Sequence, residues 1–115
     1  HPVWCAAGLA ALEFILSEGL MEQADAKGAQ YERRLVGHPA VREIRRTGLL
    51  MGVEFGDPAL TQRIVLRAVE RGLMTEWFLF RDTAMRIAPP LTITPAEIDE
   101  SCDILLDVLR EVTGS

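Results

Sequence analysis

The chain has 115 residues, with 49% hydrophobic and 25% charged side chains and a formal net charge of −5. That length is one domain with a real but modest core, and the composition is that of an ordinary globular protein. The acidic balance argues against nucleic acid or an anionic membrane as a partner, because both need a cationic surface, and no apolar run approaches the length of a membrane span.

From Val3 to about Leu35 the pattern reads as one long helix, bent near Ser17-Glu18-Gly19. Val3, Ala7, Ala10 and Phe14 form a stripe at helical spacing, which Met21, Ala24, Gly28, Tyr31 and Leu35 resume. The first half is rich in small residues and is expected to pack closely against a partner larger than this chain supplies. Gly37-His38-Pro39 ends the helix. Val41 to Arg46 and Leu49 to Phe55 read as two strands with Thr47-Gly48 as their turn. Asp57-Pro58 caps a helix that runs to Arg71, with Gly72 as its C′ residue.

Leu73 to Thr75 reads as a short strand, Glu76 to Ala84 as a loop carrying Trp77, Phe78 and Phe80, and Met85 to Ala88 as the last strand. Proline has no backbone donor, so Pro89-Pro90 gives that strand a stiff exit. Thr94, Pro95 and Glu97 then make a complete helix start, followed by Ile98, Cys102, Leu105, Leu109 and Val112 on one face. The expected order is αββαββα, an α+β sandwich with helices covering a small, mainly antiparallel sheet.

Several chemistries leave no trace. His1 and His38 lack ligand-spaced partners, and Cys5 and Cys102 form no CxxC or Cys/His cluster, so no metal site is expected. Both cysteines have apolar neighbours and read as buried free thiols, which fits a reduced, cytoplasmic compartment. There is no GxSxG, phosphate loop or dinucleotide fingerprint. Arg86, framed at a strand end before the prolines, is placed to present its fork to a carboxylate or phosphate, or else to make a structural salt bridge with a nearby acid of the chain. The chain opens on His1-Pro2 at a helix start, which suggests a segment of a longer polypeptide.

Four pieces, in order, carry a resemblance: His1 to Glu13, Val41 to Phe55, Glu70-Arg71-Gly72-Leu73-Met74, and Arg86 to Asp99. Together they resemble the C-terminal small domain of the class III pyridoxal-phosphate-dependent aminotransferases, the ornithine, acetylornithine and 4-aminobutyrate group. The resemblance covers nearly all of residues 1–115. It implies a cytoplasmic homodimer that moves an amino group from an amino-acid or amine donor to a 2-oxo acid. This segment would close the active-site cleft against the polypeptide's own large domain, and Arg86 would bind the substrate carboxylate.

The resemblance places the Schiff-base lysine, the aspartate on the pyridine nitrogen and most phosphate ligands upstream of His1. No catalytic or cofactor-binding residue is therefore expected here, and the segment alone should be inactive. Lys27, the one lysine, reads as a surface residue whose stem follows the apolar stripe. Trp77 and Phe78 have two open readings, as walls of a substrate channel or as packing against the large domain. Arg81 reads as a solvated charge, with a second anion contact as the alternative, and Arg45 and Arg46 are surface or interdomain pairs.

Two departures leave the donor open: His1 stands where the group usually has asparagine, and the aromatic Trp77 to Phe80 stretch is not general. Class III relatives with racemase, decarboxylase or aminomutase chemistry share the pattern. The rival class is a free-standing ligand-binding or regulatory module of ferredoxin-like type. Such modules usually begin with a strand, whereas this chain begins with a helix.

Overall fold

A computed structural model describes residues 1–115. The elements are α1 (Pro2–Ser17), α2 (Leu20–Leu35), β1 (Glu43–Thr47), β2 (Leu50–Glu54), α3 (Pro58–Glu70), β3 (Glu76–Phe78), β4 (Arg81–Ile87) and α4 (Pro95–Thr113). The strands form one antiparallel sheet in the order β1-β2-β4-β3. The expected α+β sandwich is the fold, with its helices on one face of the sheet.

The chain's local chemistry explains most of the boundaries. Asp57 accepts backbone N–H bonds from Ala59 and Leu60 at the head of α3. Thr94 accepts one from Glu97 at the head of α4, and its hydroxyl donates to the Glu97 carboxylate. The β1–β2 turn centres on Gly48-Leu49, one residue later than expected, because Thr47 still pairs with Leu50. Gly48 has φ +56° and no non-glycine residue has positive φ, which fits a turn with glycine at its first central position.

The expected single helix is two, bent by 68° between Ser17 and Leu20. Gly19 lies at φ +61°, a left-handed position that glycine takes at no steric cost, so the chain changes direction there instead of bending gently. Leu73 to Thr75 is not a strand. The expected loop from Glu76 is instead a hairpin, with Leu79-Phe80 at its tip and a register shift between Trp77 and Phe78.

Side chains from α2, α3 and α4 close over Met51, Val53 and Met85 of the sheet. Tyr31 and Leu35 come from α2, Ile64, Val65 and Ala68 from α3, and Ile98, Cys102, Leu105, Val108 and Leu109 from α4. Leu20, not Met21, is the buried residue that opens α2. Cys5 is exposed, contrary to expectation, because α1 buries none of its residues; Cys102 is buried, and desolvation pushes its thiol up to about 11. Val3, Trp4, Leu9, Leu12, Phe14 and Leu16 of α1 are exposed apolar side chains. No single helix is long and apolar enough to cross a membrane.

Candidate functional site

Residues alternate faces along a strand, so the register fixes what stands on the side of the sheet away from the helices. With Met51, Val53 and Met85 in the core, the opposite face carries Gly52 of β2 flanked by Arg45 of β1 and Arg86 of β4 in one row, with Glu76 of β3 beyond Arg86. The next row carries Glu43, Glu54 and Ala84.

Arg86 is half-exposed and pairs with Glu76 across the strands, Nη1 to Oε1, at 3.2 Å. Its own carbonyl accepts the Thr75 hydroxyl at 2.6 Å, so the backbone that carries the guanidinium is held from a second side. Three residues later the chain leaves through Pro89-Pro90, and Lys27 Nζ donates to the Leu91 carbonyl at 2.7 Å. Lys27 is therefore not a free surface lysine. It ties α2 to the segment behind Arg86.

Phe78 lies on the Gly52 backbone, its Cε2 atom 3.0 Å from where a Cβ on residue 52 would stand. The ring thus fills the gap that glycine leaves between Arg45 and Arg86. Trp77 is 40% exposed and Phe80, at the hairpin tip, 97% exposed. A groove of about 440 Å³ runs between Arg86 and Arg81, with Glu76, Trp77, Phe78 and Phe80 along it. Arg86, Trp77, Phe78 and Arg81, each a candidate from sequence, come together here.

Sequence reasoning did not single out Glu54. Its side chain is 7% exposed, and Oε2 accepts from Arg45 Nη2 at 3.0 Å and Arg81 Nε at 2.9 Å. Oε1 accepts the Gly56 N–H at 3.0 Å. Burial alone would raise its pKa, but hydrogen bonds from Thr83, Arg45, Arg81 and the Gly56 N–H outweigh it and hold the carboxyl down at about 2. Arg46 points to the other side of the sheet and joins β1 to Glu32 and Asp25 of α2, each at 2.7 Å.

A pH dependence follows from Glu54. Its folded pKa lies below the usual 4.5, so its contribution to stability is fully present above that value and is lost as pH falls toward about 2. Denaturation of the chain followed from about pH 5 down to about pH 2 should show an acid limb that flattens in Glu54→Gln. An unchanged limb in the variant would place the acid sensitivity elsewhere.

This chain by itself does not fit a pyridoxal-phosphate site. Such a cofactor needs a lysine amine, and Lys27 is engaged with a backbone carbonyl between α2 and the proline segment. The geometry offers instead an arginine at an apolar groove.

Comparison with known proteins agrees along nearly the whole chain. The Aminotransferase class-III family model matches residues 1–109. Acetylornithine aminotransferase from Caldanaerobacter subterraneus subsp. tengcongensis is 39% identical over 116 residues, spanning 97% of this chain and 29% of that protein. Ornithine aminotransferase 2 from Staphylococcus aureus is 35% identical over 114 residues, spanning 97% of this chain and 27% of that protein. Among solved structures, the ornithine aminotransferase from Toxoplasma gondii superimposes with a TM-score of 0.80 at 31% identity, over 96% of this chain and 27% of that one. The chain spans less than a third of the length of these relatives.

Proposed function

This chain belongs to the class III aminotransferases, and on that premise we propose that the polypeptide containing it transfers an amino group from an amino-acid or amine donor to a 2-oxo acid. The cofactor is pyridoxal phosphate, a reading supported by the partial occupancy of that group at the active site of the Toxoplasma gondii ornithine aminotransferase. It is held by the part of the polypeptide that the relatives have and this chain lacks. The 115-residue chain alone is inactive, its one lysine being committed elsewhere.

In this reading the exposed apolar side of α1 packs on that large domain, and the open face of the sheet looks into the cleft between them. The whole is a cytoplasmic homodimer. Arg86 carries the proposal: it stands half-exposed at the rim of an apolar groove, paired only to the exposed Glu76. A substrate carboxylate displaces Glu76 and takes the fork in two parallel N–H···O bonds, which fixes the substrate's direction. Phe78 and Trp77 shape the wall beside it and exclude water. Glu76 competes weakly, since exposed ion pairs have small net strength.

The test uses the full-length polypeptide, purified and read by absorbance. A visible cofactor band that borohydride bleaches, and that an amino donor shifts, is the expected result. A preparation with no such band, and no lysine modified by borohydride in the presence of added cofactor, would refute the proposal. Turnover of donor that needs no 2-oxo acid and aminates none would favour the racemase, decarboxylase or aminomutase chemistry of other class III members.

A further inference from the structure

Three guanidinium groups share the open face of the sheet, and they differ in the acid that holds them. Arg45 and Arg86 flank Gly52 in one register row, about 10 Å apart across two strand spacings. Arg81 lines the same groove as Arg86. A carboxylate entering that groove would find two forks, one at each end of the aromatic wall, and only one orientation of the substrate can be productive.

Glu54 removes the ambiguity. Its buried carboxylate takes Arg81 Nε at 2.9 Å and Arg45 Nη2 at 3.0 Å. Arg45 has a second acid, Glu43, at 2.7 Å, whereas Glu54 is the ion-pair partner of Arg81. Arg86 is left with Glu76, which is 60% exposed and readily exchanged for a ligand. The contrast is between a carboxylate fixed on four sides at 7% exposure and one free to swing into water.

We propose that Glu54 is a positioning residue for substrate selectivity. Arg81 is 61% exposed, but Glu54 holds it by Nε and balances its charge with a buried carboxylate that a ligand does not displace. A substrate carboxylate therefore docks on Arg86, whose exposed partner it does displace. Glu54 acts through the arginines and bonds to neither Arg86 nor the substrate. The inference rests on the reading of Arg86 as the carboxylate-binding residue and deepens it by saying why the neighbouring arginine does not compete.

Freeing Arg81 creates a second, unproductive mode of binding. Unproductive binding lowers kcat and KM by the same factor and leaves kcat/KM unchanged, a pattern that a general loss of structure does not produce. In the full-length holoenzyme, Glu54→Gln should therefore lower kcat and KM together, by about five-fold or more, for a donor that bears a carboxylate. In the donor half-reaction alone, followed with no 2-oxo acid present, an amine donor without a carboxylate should behave as in the wild type. Adding Arg81→Met to Glu54→Gln should restore both constants, because it deletes the freed fork.

Two results overturn the proposal: unchanged constants for the carboxylate donor, or a parallel fall in kcat/KM for both donor classes. Should Glu54→Gln not give soluble holoenzyme, Glu54→Asp retracts the charge by one methylene and should give a smaller coupled fall that Arg81→Met reverses. Its absence overturns the proposal equally. Arg86→Ala is measured beside them. If it raises KM for the carboxylate donor while the Glu54 variants behave as wild type, the role of Glu54 fails alone. If Arg86→Ala leaves that KM unchanged, the reading of Arg86 fails and carries this inference with it.

Discussion

Gly28→Ala should destabilise the chain by about 3 kcal/mol or more, the upper end of overpacking costs, although alanine is the better helix former by about 1 kcal/mol. Gly28 is in the middle of α2, where the helix backbone lies against the β1–β2 turn. A Cβ there would stand 1.9 Å from the Gly48 carbonyl oxygen and 2.9 Å from its carbon. Both are backbone atoms of a tight turn, and Gly48 itself has φ +56°, so the turn cannot flatten without leaving the conformation that joins the strands. The helix cannot retreat either. Arg46 bonds Glu32 and Asp25 of α2 from the sheet side, and Lys27 holds the Leu91 carbonyl from the other. The clash must break one of these contacts or lift α2 off the core, where Tyr31 and Leu35 are buried. Gly8→Ala is the control: a Cβ on Gly8 in α1 meets nothing within 4 Å. It should be neutral or stabilising by roughly 0.5–1 kcal/mol, the propensity gain alone. Denaturant midpoints of the two variants read the contrast. A Gly28→Ala midpoint equal to that of Gly8→Ala would mean that α2 does not approach the turn so closely.

Gly28 also marks where sequence reading reaches its limit. At the helix ends the signals are local: Asp57-Pro58 and Thr94-Pro95 with Glu97 cap their own neighbours, and α3 and α4 begin where those residues stand. Gly28 reads locally as one small residue on an apolar stripe, and its requirement comes from a carbonyl twenty residues away. The β3–β4 hairpin failed for a related reason. Its tip, Leu79-Phe80, contains none of the glycine, proline or asparagine that marks turns, and three aromatics in four residues obscure the alternation of a strand. Pairing with β2 on the far side of β4 makes that segment a strand, and pairing is not a local property. Cys5 read as buried because its neighbours are apolar, but an apolar helix is buried only where something packs on it, and nothing in this chain packs over α1.

The site divides along the same line. Arg86 was legible because the double proline and the following cap frame it within a dozen residues. Glu54 was not, since its meaning lies in Arg45, nine residues back, and Arg81, twenty-seven ahead, which the sheet brings to one oxygen. The interpretation of Arg45 as a surface pair was right about its charge and silent about its partner. For Arg81 the sequence offers a solvated charge or an anion contact, and the structure holds something of both: the side chain is 61% exposed, and its Nε pairs with Glu54.

The kinetics of Arg86→Ala in the full-length enzyme give the second large effect: KM for carboxylate-bearing donors should rise by about one to two orders of magnitude. A charge-assisted hydrogen-bonded contact has a net strength of about 1.5–3 kcal/mol, and each 1.4 kcal/mol is a factor of ten. The kcat/KM for amine donors without a carboxylate should change little, since it reports the donor half-reaction alone, and cofactor content should not change at all. Arg86→Lys should recover only part of the loss, because an ammonium supplies charge without the planar fork that fixes direction. The decisive comparison is with Glu76→Gln. If Arg86 were a structural residue, serving only to pin β4 to β3 through Glu76, then removing either partner of the 3.2 Å pair would have the same consequence. If Arg86 receives the substrate, the two substitutions diverge in sign. Loss of arginine raises KM, whereas loss of Glu76 removes a competitor for the same fork and lowers KM or leaves it alone. Equal effects from both variants would reduce Arg86 to a cross-strand tie. Opposite effects would make Glu76 the placeholder that the substrate carboxylate displaces.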